Sequence, residues 1–112
     1  MKIDYVELPA RDLSEAKAFY GKACGWSFED WGPDYMAFSD AGLEGGFRRT
    51  SGVPPRGGAL VILYSDDLDA AEKTIIEAGG EVIEKHDFPG GSRFHFRDPS
   101  GNELAVWTKA SR

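Results

Sequence analysis

Near its carboxyl end the chain reads PGGSRFHFRDPSGNELAVWT from Pro89 to Thr108, two alternating runs around a turn. With Phe94 and Phe96 as core partners, period-2 alternation sends Arg93, His95 and Arg97 to the opposite face. An imidazole can take up or release a proton near neutrality, and a guanidinium can hold a carboxylate or phosphate through paired hydrogen bonds. That face therefore has the means for either catalysis or anion binding, and His95 is the histidine to consider for acid–base chemistry. His86 lies in the polar run EKHD and is expected to be solvent-exposed.

Groups on a strand face act together only if the rest of the chain holds the strand in place. Ile3–Pro9 alternates like a strand, and Asp12 followed by Glu15 has the form of a helix N-cap and capping box. Leu13, Ala16, Phe19, Tyr20, Ala23 and Cys24 then recur at helical spacing up to Gly25, the expected left-handed stop. Strand patterns follow at Ser27–Trp31, Tyr35–Ser39 and Leu43–Arg49. After a Pro- and Gly-rich connector the plan repeats. A strand at Ala59–Tyr64 leads to a helix capped by Asp66 or Asp67 and closed by Gly79-Gly80. Strands then fall at Glu81–Lys85, Ser92–Arg97 and Glu103–Trp107. An offset of 55 residues lays Asp12-Leu13 on Asp67-Leu68, Gly25 on Gly80 and Tyr5 on Leu60. The reading is one α+β domain over residues 1–112: a βαβββ module at 1–49, a connector at 50–58, and a second module at 59–112. Either module alone has too small a core, so the two should pack as a pseudo-symmetric pair. Gly45-Gly46 and Gly90-Gly91 read as turn or bulge positions.

Composition narrows the classes of function. With 112 residues, 41% hydrophobic and 29% charged, the chain has the makeup of an ordinary globular domain. A formal charge of −6 argues against nucleic-acid and anionic-membrane partners, which need basic patches. No stretch approaches the roughly 20 apolar residues of a membrane span. The opening MKIDYVELPARDL reads as a strand rather than a secretion signal. Cys24 is the single cysteine, which excludes an internal disulfide, fits a cytoplasmic setting and suits a packing role.

The stretches YVELPARDLSEAKAFYGKACGW and FPGGSRFHFRDPSGNELAVWT resemble the vicinal oxygen chelate superfamily, which includes glyoxalase I, bleomycin-resistance proteins, fosfomycin-resistance enzymes and extradiol dioxygenases. The DL-x3-KAFY helix start and the DPSGN turn carry the resemblance, which extends over nearly the whole chain. It implies two βαβββ modules with sheets curving around a cleft, commonly in a homodimer. It does not fix the activity, because this fold hosts isomerases, lyases, transferases, dioxygenases and pure binding proteins.

Metal-dependent members of that superfamily place ligands on the first, fourth, fifth and eighth strands. The corresponding positions here are Tyr5, Leu60 and Ala105, with Glu44 the one carboxylate in the fourth-strand stretch. Leucine and alanine have no donor, and a neutral phenol is a poor ligand for a divalent ion. The usual metal centre is therefore expected to be absent, and no cofactor is implied. Glu7 and Glu103 stand two residues from their respective ligand positions, on the same strand faces. With His95 they form an alternative, displaced metal set, which would serve a glyoxalase-type lyase or isomerase.

The resemblance also implies which faces line the cleft: Tyr5 and Glu7; Leu60, Ile62 and Tyr64; Arg93 and His95; Glu103, Ala105 and Trp107. At the position of His95, fosfomycin-resistance relatives carry a tyrosine that touches substrate. A wall of this composition, mostly apolar with a few orienting polar groups, suits a small organic molecule, aromatic or anionic. One of Arg48 and Arg49 is expected to face inward. His95 and Glu7 are the candidate catalytic residues.

Overall fold

The computed structural model describes residues 1–52, 54 and 56–110; Val53 and Pro55 of the expected connector, and Ser111 and Arg112, lie outside the described residues. The first half forms β1 (Tyr5–Ala10), α1 (Leu13–Cys24), β2 (Ser27–Asp30), β3 (Tyr35–Ser39) and β4 (Glu44–Arg49). The second half forms β5 (Val61–Tyr64), α2 (Leu68–Glu77), β6 (Glu81–Phe88), β7 (Gly91–Arg97) and β8 (Glu103–Lys109). Each half builds one four-stranded sheet, ordered β1-β4-β3-β2 and β5-β8-β7-β6. In both, a parallel pair (β1 with β4, β5 with β8) sits at one edge and the other pairings are antiparallel. The expected α+β fold of two βαβββ units is what forms. No helix among the described residues is long and apolar enough to cross a membrane.

The caps work as their residue types dictate. Asp12 Oδ1 accepts a hydrogen bond from the Glu15 backbone N–H at 3.0 Å, and Gly25 takes the left-handed conformation at φ 72°. The Glu15 carboxylate turns to Arg11 Nε at 3.3 Å, so only one side of the capping box is made. Of the two aspartates before α2, Asp67 is the cap, accepting from the Ala70 N–H at 3.0 Å. Asp66 instead receives the Tyr64 hydroxyl.

Each helix covers one face of its sheet with the alternating apolar residues. Tyr20 stacks on Trp26 and Trp26 on Phe38, both with centroids 4.6 Å apart. Phe94, Phe96, Leu104 and Val106 are buried on the corresponding face of the second sheet. Phe19 joins the two halves, meeting Phe96 at 6.1 Å.

A polar knot completes that joint. The Asp98 carboxyl accepts from the backbone N–H groups of Ser100 and Asn102 and from the Asn102 side-chain amide, each at 2.9 Å. It also accepts the Tyr20 hydroxyl from α1 at 2.8 Å. Asn102 Nδ2 donates to the Pro9 carbonyl at 2.7 Å, and Ser100 Oγ accepts from the Arg11 N–H at 3.1 Å. Asp98, Ser100 and Asn102 are all buried, so the DPSGN turn is a fastener between the halves rather than an exposed loop.

Three expectations need correction. The fifth strand begins at Val61, leaving Ala59 and Leu60 before it, because pairing with β8 starts at Val61–Leu104. β6 runs on to Phe88 rather than Lys85, because Phe88 still pairs with Gly91 across a tight turn at Pro89-Gly90. Gly45 and Gly46 are not a bulge: both lie in regular pairing with β1 and β3. A side chain at Gly45 would meet the Phe38 ring and the Val6 carbonyl, and one at Gly46 would meet the hydroxyls of Tyr35 and Tyr5. The bulge falls instead between Val82 and Glu84.

Candidate functional site

Alternation leaves one face of the second sheet uncovered by helix. On it, Ile62, Ala105, His95 and Glu84 form one cross-strand rung, and Tyr64, Trp107, Arg93 and His86 form the next. Ile62 and Tyr64 are exposed, whereas Val61 and Leu63 pack on the core. Trp107 meets the Tyr64 ring edge-on at 4.9 Å, with Phe88 beyond it at 6.4 Å. One end of the face is thus aromatic and the middle is polar.

The polar centre is a connected chain of charges. His95 is 6% exposed, and its Nδ1 lies 2.7 Å from Glu103 Oε2. Arg56, from the connector, binds Glu103 Oε1 through Nε at 2.6 Å and Glu84 Oε1 through Nη2 at 2.6 Å. Glu84 Oε2 is 2.8 Å from His86 Nε2, and the His86 and His95 rings meet edge-on at 5.4 Å. Arg56, followed by His95, holds the Glu103 carboxyl below the usual range. Arg56, followed by His86, brings Glu84 down to about 2. Glu103 is therefore an acceptor only, and His95 Nδ1 must donate to it. In the neutral ring this leaves a lone pair on Nε2, which is buried and without a hydrogen-bond partner among the described residues. An imidazole oriented by a carboxylate, with its far nitrogen unpaired, can accept a proton or ligate a metal.

The uncovered face of the first sheet holds the other expected residues. Tyr5 and Tyr35 share a hydrogen bond of 2.6 Å, and burial together with bonding to Tyr5 and Glu7 pushes the Tyr35 phenol well above its usual range. Glu7 pairs with Arg48 Nε at 3.2 Å, and Arg49 turns to Asp34 instead. The structure thus joins His95 to Glu103, while Glu7 is engaged on the other sheet. Leu60 lines a groove of about 730 Å³ at the junction of the halves, together with Leu8, Pro9, Asn102 and Glu103.

The family's usual metal does not fit the residues at its own positions. Ala105 stands between Ile62 and His95 and offers only a methyl group, Leu60 offers only an isobutyl group, and Tyr5 is tied to Tyr35. No step is assigned to a metal there.

Four residues at these faces were not among the site candidates read from sequence: Tyr35, Glu84, His86 and, from the connector, Arg56. One signal was available for His86. The β6–β7 hairpin holds both histidines of the chain, on adjacent strands. Which way His86 points depends on the bulge, which alternation does not reveal. His86 is exposed, as its polar run suggests, and still belongs to the face.

Among solved structures, a glyoxalase-related enzyme from Fulvimarina pelagi superposes with a TM-score of 0.80 at 19% identity, covering 97% of this chain and 88% of that one. The fosfomycin resistance protein FosX from Listeria monocytogenes, as its E126Q mutant with Mn(II) and 1S,2S-dihydroxypropylphosphonic acid, gives 0.82 at 16% identity, covering 94% and 87%. Lactoylglutathione lyase from Agrobacterium tumefaciens gives 0.73 at 24% identity, covering 96% and 92%. These likenesses establish the fold. A search of curated proteins finds no match. The family model of the Glyoxalase/Bleomycin resistance protein/Dioxygenase superfamily matches residues 2–106. With that match over nearly the whole chain, and two βαβββ units to go with it, the chain belongs to the glyoxalase/bleomycin resistance protein/dioxygenase superfamily.

Proposed function

We propose that this protein binds a small organic anion, aromatic in part, on the uncovered face of its second sheet, without the metal centre usual in its superfamily. One observation carries the reading: Arg93 is half-buried beside Trp107 and His86, and it alone of the described arginines has no carboxylate partner. A guanidinium left free beside aromatic rings suits a carboxylate or phosphonate attached to an apolar or aromatic body. Tyr64, Trp107 and Ile62 supply the apolar contact, while Arg93 holds the anionic end.

The cleft closes in a homodimer, on this reading, with the first-sheet face bearing Tyr5 and Glu7 opposed to the second-sheet face. Two facts support it. β1 and β5 are edge strands, and Tyr5, Ile62, Tyr64 and Phe88 are exposed on or beside these faces. The setting expected from the single cysteine is cytoplasmic.

Intrinsic fluorescence titration against a panel of aromatic and aliphatic carboxylates and phosphonates tests the proposal. Trp107→Phe separates the signal of Trp107 from those of Trp26 and Trp31. Saturable quenching that Trp107→Phe abolishes is the expected result. A wild-type signal unmoved by every anion in the panel would count decisively against the reading.

A further inference from the structure

Glu84, His86 and His95 come together through a local irregularity. β6 and β7 pair regularly from Phe88–Gly91 to Glu84–His95, and the register then shifts so that Val82 faces Phe96. Ile83 is the extra residue. Had the Val82–Phe96 register continued, Ile83 would stand opposite His95, and Glu84 and His86 would point toward the helix side. With the shift, both side chains reach the face of His95, and one donor atom from each of the three lies within 4.8 Å of the others.

We propose that these three residues form a binding site for a divalent transition-metal ion of the Zn2+ type, at a place distinct from the superfamily's usual ligand positions. This goes beyond the sequence reading, which expected no metal and whose alternative set was Glu7, His95 and Glu103. The proposal does not depend on the organic ligand proposed above.

Three features of the site favour an ion. His95 Nε2 is buried and unpartnered, and His95 offers a ring nitrogen to the cluster that His86 and Glu84 complete. An imidazole nitrogen in that condition is either a standing cost or a ligand awaiting its ion. Glu103 grips the opposite ring nitrogen at 2.7 Å, the carboxylate–histidine arrangement that fixes the tautomer and raises the basicity of a ligating imidazole. Finally, two imidazoles and one carboxylate are donors that suit zinc and its neighbours, and three protein ligands leave one coordination position open.

The charges are compatible. Arg56 is the cation of the cluster, and it occupies Glu84 Oε1 and both oxygens of Glu103. Glu84 Oε2 is left for the ion, in place of its hydrogen bond to His86. Two carboxylates against one guanidinium leave an excess of one negative charge to meet a dication. Bonds of roughly 2.0–2.2 Å to nitrogen and oxygen require the donors to close in from their present spacing, which the exposed His86 side chain can do by changing rotamer.

The test is isothermal titration of chelator-treated full-length protein with Zn2+, paired with the visible spectrum of the Co2+-loaded protein. Wild type should bind one ion per chain and show the intense bands of four-coordinate cobalt. His86→Ala lies on the surface and should keep its melting temperature while losing at least tenfold in affinity. Glu84→Gln should do the same. Glu103→Gln, at a positioning residue, should weaken binding by about 10–100-fold while keeping the cobalt bands. Glu7→Ala should bind as wild type does. Absence of stoichiometric binding to the wild type would overturn the proposal. So would unchanged affinity in His86→Ala, or loss of binding in Glu7→Ala.

Discussion

Tyr20 donates its hydroxyl to the carboxyl of Asp98 across the joint between the two halves, 2.8 Å apart and both buried. Tyr20→Phe keeps the ring in its stack on Trp26 and removes only this bond. Asp98 retains its three donors from Ser100 and Asn102. The expected loss of stability is about 1.5–3 kcal/mol in urea unfolding, the scale of a lost hydrogen bond to a charged group. Lys17→Ala, which removes an exposed pair with Asp30, should change stability by under about 1 kcal/mol. Equal effects from the two variants would show that the knot does not fasten the joint.

Alkaline pH should weaken the fold through one buried acid, Tyr20, and one partly buried, Cys24. Burial, followed by the nearby Asp98, raises the Tyr20 phenol well above its ordinary 10.0. Burial also pushes the Cys24 thiol from its ordinary 9.0 up to about 12. In both cases the folded value exceeds the unfolded one, so the folded state holds its proton longer. The contribution is complete below about pH 9 and is lost as pH climbs toward the folded values. Melting temperature should therefore decline above pH 9, and the double variant Tyr20→Phe, Cys24→Ala should decline less steeply. The same burial predicts slow reaction of Cys24 with a disulfide reagent at pH 8 in the folded protein and fast reaction in urea.

Neighbouring glycines should respond very differently to the same methyl group. Gly45→Ala drives a Cβ into the Phe38 ring and the Val6 backbone, neither of which can move without disturbing the core. Gly46→Ala meets mainly the tips of Tyr35 and Tyr5, which can swing outward toward solvent once their shared hydrogen bond breaks. Expected destabilisation is about 1–3 kcal/mol or more at Gly45 and clearly less at Gly46. Thermal melts of the two variants decide it, and the reverse order would be contrary to this packing.

Arg93→Ala should reduce affinity for the tightest anion found by fluorescence by about 10-fold or more, the scale of a lost charged hydrogen bond. Arg93→Lys should recover part of it. Because Arg93 has no ion pair to lose, the melting temperature of the free protein should stay close to that of wild type. A neutral analogue of the same ligand should bind both proteins alike.

Much of this architecture was readable from residue types. Asp12, Gly25 and Asp67 announce the helix ends because a short polar side chain or a missing Cβ is the local solution to an unsatisfied helix terminus. The faces of β1, β5 and β8 follow from Val6, Leu63 and Leu104, since alternation is unbroken there. The face of β6 does not follow, because one added residue at Ile83 inverts the alternation, and nothing in EVIEKHDF marks where it sits. Arg56 was equally hidden. Its partners Glu84 and Glu103 are 28 and 47 residues away, and a Pro- and Gly-rich connector gives no register to extrapolate. The absence of donors at Leu60 and Ala105 was plain, but not that an unpaired nitrogen would remain next to Ala105.

The fastener at Asp98 also sets a limit on how interchangeable the halves are. In the first half the equivalent turn between β3 and β4 is built on Asp40, Ala41 and Gly42, with Asp40 exposed and at φ 62°. It has no counterpart of the Ser100 hydroxyl or the Asn102 amide that grip Arg11 and Pro9. A chain assembled from two copies of the first half would repeat every helix and strand and still lack its clasp. The plan of the fold is duplicated, whereas its cohesion is written once.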